Sequence, residues 1–189
     1  MSHVMFKKRL KKEYENQIIS QIEQRLPAFR SFAAGLCGDR FVADDLVQAA
    51  CERALERLDQ VNDLSGVGSW VNRIIYTQWQ DLLRKRKSRK VKLISFGQYR
   101  SIQQKTEQPG DVRTNTRLDI EKALDHLSDD HRAALALVAI AGHNYQEASI
   151  ILDIPVGTVA SRVARAKASL AEHLYSTRED RSYYTKYGR

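Results

Sequence analysis

From Asp44 to Leu58 the small and apolar residues fall at Leu46, Val47, Ala50, Cys51, Ala54, Leu55 and Leu58. That stripe has helical period and no alternation of period two, so it predicts an amphipathic helix with Cys51 in its core face. Asp45, Gln48, Glu52, Glu56 and Asp59 step along the opposite face, a pattern that a solvated helix face also produces. A loop follows over 61–69 (VNDLSGVGS). Its GVG is no phosphate loop, because no Lys-Ser/Thr follows and no strand precedes it. The next helix begins near Ser69, with Trp70, Val71, Ile74, Ile75, Trp79, Leu82 and Leu83 apolar. Its polar row is Arg73, Tyr76, Gln80, Arg84 and Lys87. Both tryptophans belong to or border the buried face, whereas Tyr76 falls on the basic one.

Between about Val91 and Arg117 the periodicity is lost, and Pro109-Gly110 marks a turn. A stretch this long without pattern is unusual inside one compact domain, so it predicts a linker between two small helical domains. Helical pattern resumes near Leu118. Ser128 before Asp129 and Asp130 predicts a helix start, a hydroxyl cap followed by carboxylates at the positive dipole end. That helix is expected to reach Ala141 and stop at Gly142. A short helix is predicted over Tyr145–Leu152, then a turn at Asp153-Ile154-Pro155, where Pro155 holds Ile154 extended and suits a helix start. The last helix buries Val159, Val163, Ala166 and Leu170, while Gly157, Ala160, Ser161, Ala164, Arg165 and Ala168 point away. Short helix, tight turn and longer basic helix make a helix-turn-helix, in which the N-terminal half of the second helix enters the major groove. Ordinary helix pairs share this geometry. The small outward residues, with Arg162 and Arg165, favour close approach to DNA.

Charge sharpens the picture. Lys plus Arg number 31 against 23 Asp plus Glu over 189 residues, a net charge of +8. Five cations and no acid lie in 7–12 (KKRLKK), and seven cations and no acid in 84–92 (RKRKSRKVK). Residues 44–63 instead hold six acids against Arg53 and Arg57. An acidic and a basic surface in one block predict two different partners, and the basic excess predicts a polyanion, nucleic acid before membrane. The apolar run from Ala133 to Gly142 is far below the roughly 20 residues of a membrane span. The N-terminus has no apolar stretch of secretory type. Cys37 and Cys51 lie far apart, so neither a disulfide framework nor zinc spacing is present, and a reducing compartment follows. No nucleophile–base pair, metal cluster or nucleotide loop is visible, so no enzyme, cofactor or metal is expected. Two rival readings are a stand-alone helix-turn-helix regulator and a nuclease built on Asp44, Asp45, Glu52 and Asp81.

Three stretches, DDLVQAACERAL, SWVNRIIYTQWQDLLRKRK and YQEASIILDIPVGTVASRVARAKASL, resemble the extracytoplasmic-function (ECF) sigma factors, in the sigma-70 family of bacterial RNA polymerase. The resemblance covers roughly two-thirds of the chain, with both blocks in the family's order. It implies an all-α fold: a region 2 helical bundle and a region 4 helix-turn-helix joined by a flexible linker. The implied boundaries are a basic N-terminal extension over 1–19, region 2 over 20–90, linker over 91–116, region 4 over 117–177 and a tail over 178–189. The tail, with three tyrosines, reads as either a disordered end or a docking segment.

By position, the resemblance implies polymerase docking by Asp45, Leu46, Gln48 and Glu52. It implies −10 recognition and melting by Asn62, Asp63 and Ser65 in the loop and by Arg73, Tyr76, Gln80 and Arg84 on the helix. It implies −35 readout by Thr158, Ser161, Arg162 and Arg165. The implied partners are core RNA polymerase, promoter DNA and an anti-sigma factor, in the bacterial cytoplasm and without membrane insertion. The chain departs from the family pattern at Ala49, usually an acid, at Thr77, often Asn, at Ala160 and Ala164, usually longer, and at Asp153, usually Gly.

Overall fold

The computed structural model describes residues 2–88, 123–124 and 126–187, with side chains over 5–86, 123–124 and 126–174. The expected linker over 91–116 lies outside the described residues. The described secondary structure is helical throughout.

Helix α1 runs over Ser2–Cys37, with no break at the expected boundary near residue 19. Ile18 is already in the core. Gly38, at φ 68°, ends α1 in the left-handed conformation, and its N–H donates to Ala34 O. One residue later Asp39 caps α2 (Arg40–Leu55), its carboxylate accepting from the amides of Phe41 and Val42 at 2.8 and 3.1 Å. A cap of this kind stabilises a helix by about 1 kcal/mol. So short a connection forces α2 to run back along α1.

The pattern places the start of this second helix at Asp44; Asp39 moves it four residues earlier, and Ala43 joins the core. Leu55, expected in the stripe, is exposed. Two 3-10 turns, Leu58–Gln60 and Leu64–Gly66, lead into α3 (Val67–Ser88). Arg30 pairs with Asp44 between α1 and α2, and α2 and α3 flank a groove lined from Val42 to Glu56 on one side and from Gln78 to Arg86 on the other. Ile18, Ile22, Phe29, Phe32, Leu36, Leu46, Val47, Val71, Ile75 and Trp79 fill the centre of this three-helix bundle.

In the second bundle α4 (Asp129–Leu135) is capped by Ser128 as expected. Its last turn widens into a π turn over Ala136–Ile140 before Gly142, at φ 76°, ends it. The wide turn, closed by Ala141 N–H to Ala136 O, carries Ala136 and Ile140 over α1. Helix α5 (Tyr145–Leu152) starts in a capping box between Asn144 and Glu147 and ends at Asp153, at φ 56° and ψ 48°. Asp tolerates that left-handed geometry where most residues do not. Helix α6 (Val156–Tyr187) buries Val159, Val163 and Ala166. Its backbone stays helical through the tail expected from residue 178, as far as Tyr187.

The two bundles pack into one core. The seam joins α1 to α4 and its π turn, and α3 to α5. Gly35 permits the approach: a Cβ there would sit 2.6 Å from Ile140 Cδ1 and 3.3 Å from Ala136 Cβ.

Candidate functional site

Three separate surfaces carry the residues singled out from the sequence. On α2, Asp45, Gln48 and Glu52 are exposed along one face, with Gln48 Nε2 donating to Glu52 Oε1 at 3.1 Å. Leu46 does not share that exposure. It is 6% exposed and packs into the core, because its position follows the apolar stripe. The acidic face borders a groove of about 570 Å³ between α2 and α3, closed on the far side by Gln78, Asp81, Leu82, Lys85 and Arg86. Arg86 lies 6.0 Å from the Trp79 ring centroid. Among the described residues, no group of three or more His, Cys, Asp or Glu is placed to hold a metal ion.

The loop over 61–69 sits at the bundle end opposite Gly38. Val61 and Val67 anchor it in the core, and Asn62, Asp63 and Ser65 face solvent between these anchors. Asp63 accepts from the Ser65 amide at 3.0 Å and from the Ser65 hydroxyl. The hydroxyl first, then the amide, hold its carboxyl below the ordinary carboxylate value. These two bonds close a local turn between Asp63 and Ser65.

On α3 the polar row meets the second bundle, an arrangement with no signal in the sequence pattern. Arg73 donates to Ile150 O at 3.3 Å. Tyr76 is half-buried, and Gln80 Nε2 donates to its hydroxyl at 3.1 Å. Burial first, then the Asp130 carboxylate, push the Tyr76 hydroxyl above its ordinary value, against Arg162 and the Gln80 bond. Arg84 pairs with Asp81. Sequence reasoning missed Asn72, which is 5% exposed and lies 2.7 Å from His143 Nε2. His143 Nδ1 lies 3.2 Å from Glu147 Oε2. With Asn72 donating to Nε2, the neutral ring carries its proton on Nδ1 and donates it to Glu147.

On α6, Ser161 and Arg165 are exposed and Thr158 half-exposed. Ser161 Oγ donates to Thr158 O at 2.9 Å. Arg162 turns inward, its side chain 22% exposed and its guanidinium 2.7 Å from Asp130 on α4. Neither cysteine is placed to react. Burial pushes both thiols up, and Cys37 donates to Asp39 O at 3.0 Å.

This arrangement of a bundle, an exposed loop and a helix-turn-helix has relatives. The family model for Sigma-70 region 2 matches residues 21–89, and that for Sigma-70, region 4 matches residues 117–170. The ECF RNA polymerase sigma factor EcfG of Rhodopseudomonas palustris is 35% identical over 150 residues, 79% of this chain and 81% of that protein. The chain belongs to the ECF sigma factors. The ECF sigma-E factor of Escherichia coli is 26% identical over 165 residues, 83% of this chain and 80% of that one.

Among solved structures, the sigma factor RpoE from Bartonella quintana, in complex with the anti-sigma factor NepR, superposes with a TM-score of 0.65. It is 29% identical, over 82% of this chain and 95% of that one. CnrH, in complex with the cytosolic domain of CnrY, shares the fold at a TM-score of 0.61, over 84% of this chain and 88% of that one, with 21% identity. As an ECF sigma factor the chain directs RNA polymerase to promoters. It supplies binding specificity and is not an enzyme. No described helix is long and apolar enough to cross a membrane.

Proposed function

We propose that this sigma factor docks on core polymerase through Asp45, Gln48 and Glu52, with Leu46 holding the docking helix in place from beneath. The exposed acidic row carries the reading: carboxylates and an amide at helical spacing suit arginines on a partner. The Asn62–Ser65 loop then receives an unstacked base of the −10 element. Extrusion costs a few kcal/mol, which hydrogen bonds from Asn62, Asp63 and Ser65 offset. Along α3, Arg73, Gln80 and Arg84 follow the adjacent backbone, and Tyr76 stacks on a base, worth about 1–3 kcal/mol. Thr158, Ser161 and Arg165 read the −35 duplex, with Arg162 behind them. Bases inserted along α3 compete with the second bundle for Arg73 and Tyr76, so opening of the seam accompanies promoter melting. The complex of the Bartonella relative with NepR supports an anti-sigma protein as a further partner.

The test is purification of the chain with core polymerase, followed by transcription and mapping of start sites after overexpression. The expected result is transcripts whose starts share spaced −35 and −10 sequences and that need both chain and polymerase. Sequence-specific duplex binding by the chain alone, with no polymerase association, would instead identify a stand-alone regulator.

A further inference from the structure

The first turns of α1 are explained by neither bundle. Met5 to Glu13 are all exposed, Tyr14 is the first residue to touch the core and Ile18 the first to be buried. At 1.5 Å per residue, Lys12 and Lys7 stand about 9 and 16 Å of helix beyond Ile18. The segment also precedes the region 2 match, which begins at residue 21.

The direction of this projection follows from the packing. Helix α2 runs back along α1 from Gly38, and both 3-10 turns of the loop that follows it pack on α1. The guanidinium of Arg25 lies against Gly68, where a Cβ would be 3.1 Å from Nε. The N-terminal turns therefore leave the bundle at the end that carries Asn62, Asp63 and Ser65.

Their chemistry suits a polyanion. Lys11 pairs with Glu15 at 3.7 Å. Among the described residues, Lys7, Lys8, Arg9 and Lys12 have no such acidic partner. At 100° per residue the cations fall within an arc of about 200°, with Phe6, Leu10 and Tyr14, each four residues apart, on the remaining side. Charge therefore covers more than half of these exposed turns.

We propose that Lys7, Lys8, Arg9 and Lys12 on the first turns of α1 grip the promoter backbone flanking the segment held by the Asn62–Ser65 loop. The inference rests on the −10 reading of that loop. With duplex charges every 3.4 Å along each strand, the projection reaches about three to five base steps past the bundle. Such contacts carry no base readout; they add affinity and fix register.

The test compares holoenzymes bound to a duplex carrying a start site mapped after overexpression, across a salt series. Lys7→Gln/Lys8→Gln/Arg9→Gln/Lys12→Gln should weaken binding and flatten the log–log salt slope by about one to four units, roughly 0.9 per lost contact. Core-polymerase affinity should not change, and Lys7→Arg/Lys8→Arg/Lys12→Arg should keep the wild-type slope. An unchanged slope in a quadruple variant of native helix content overturns the proposal. So does a loss of polymerase affinity with the DNA slope intact, which would assign the arm to a protein surface. Asn62→Ala/Asp63→Ala serves as the separate check, with −10 selectivity expected to fall at constant slope. If that variant loses selectivity while the quadruple variant behaves as wild type, only the arm proposal fails. If it keeps selectivity, the loop reading fails, and the placement of the arm with it.

Discussion

The side-chain amide of Asn72 on α3 meets Nε2 of His143 at 2.7 Å across the seam between the two bundles. It is a buried polar contact 71 residues apart in sequence, and His143 passes it on to Glu147. Removing one partner leaves the other unsatisfied, which costs about 1–3 kcal/mol. Asn72→Ala should therefore loosen the seam while each bundle keeps its own core. Fluorescence transfer between dyes on α2 and the exposed face of α6 should report a longer mean distance, and helix content should stay constant. Unchanged transfer efficiency in Asn72→Ala and in His143→Ala would show that the contact does not hold the bundles together.

Gly35 offers an independent wedge. Alanine there meets mainly the tip of the partly exposed Ile140 side chain, which can rotate away. Gly35→Leu cannot be accommodated so simply and should part the bundles without touching the residues proposed to face DNA. If the seam competes with melted DNA for Arg73 and Tyr76, the holoenzyme with Gly35→Leu should form open complexes at least as fast as wild type. Slower permanganate reactivity in a folded, polymerase-bound variant would argue that the closed packing aids opening.

The local devices of the fold were legible because each rests on neighbours in sequence. Ser128 with two following acids, Gly142, and Asp153 ahead of Pro155 state their helix ends through cap and turn chemistry. The stripe from Leu46 to Ala54 likewise fixed which face of α2 is buried. The seam had no such signal. Asn72 sits one position from the basic row and looks like any polar residue on an exposed face; only the arrival of α5 buries it. Arg162, beside the outward row in the sequence pattern, gives no sign there of its partner Asp130, 32 residues earlier. The basic stretch over 7–12 has no apolar period, so its helix is a continuation of the packed turns that follow Tyr14.

Docking and packing on α2 can be separated by substitution. Asp45→Arg/Gln48→Ala changes only exposed side chains and should weaken core-polymerase binding, with thermal stability within about 0.5 kcal/mol of wild type. Leu46→Ala removes a core side chain and should cost about 2–5 kcal/mol of stability. Any loss of polymerase binding should then track the unfolded fraction. A pull-down with undiminished polymerase on the folded double variant would remove the acidic face from the docking surface.

Acid should loosen the start of α5. The Asn144 amide first, then the His143 ring, hold Glu147 below its ordinary value of 4.5. A carboxyl whose folded value is depressed contributes stability that is fully present above its unfolded value and is lost as pH falls through the folded one. The contribution from Glu147 is thus intact above 4.5 and fades below it, taking the capping box with it. Glu147→Gln should flatten this part of the stability profile, and melting temperatures measured on both sides of that pH should reveal it. Parallel profiles for wild type and variant would show that the cap contributes nothing there.

The two arginines at the start of α6 should prove unequal. Arg165 is exposed on the face that also carries Ser161 and Ala164, in the half of the helix that approaches base edges. With alanines at 160 and 164, it is the longest polar side chain free to reach a groove. Its loss should cost about 1–3 kcal/mol at one base pair if it contacts guanine, and should relax selectivity there. Arg162 pairs with Asp130 at the surface of the second bundle, the two side chains 22% and 53% exposed. A pair this accessible to water adds about 0–1 kcal/mol. Arg162→Ala should therefore lower stability by no more than that. Asp130→Ala alone releases the guanidinium beside the proposed −35 face. If it then reaches phosphate, the salt slope of promoter binding should steepen by about one unit. Holoenzyme binding to −35 variants at several salt concentrations measures all of this at once. Lost selectivity in Arg162→Ala at full stability, with Arg165→Ala behaving as wild type, would reverse the two assignments. It would also mean that the Asp130 pair breaks when DNA binds.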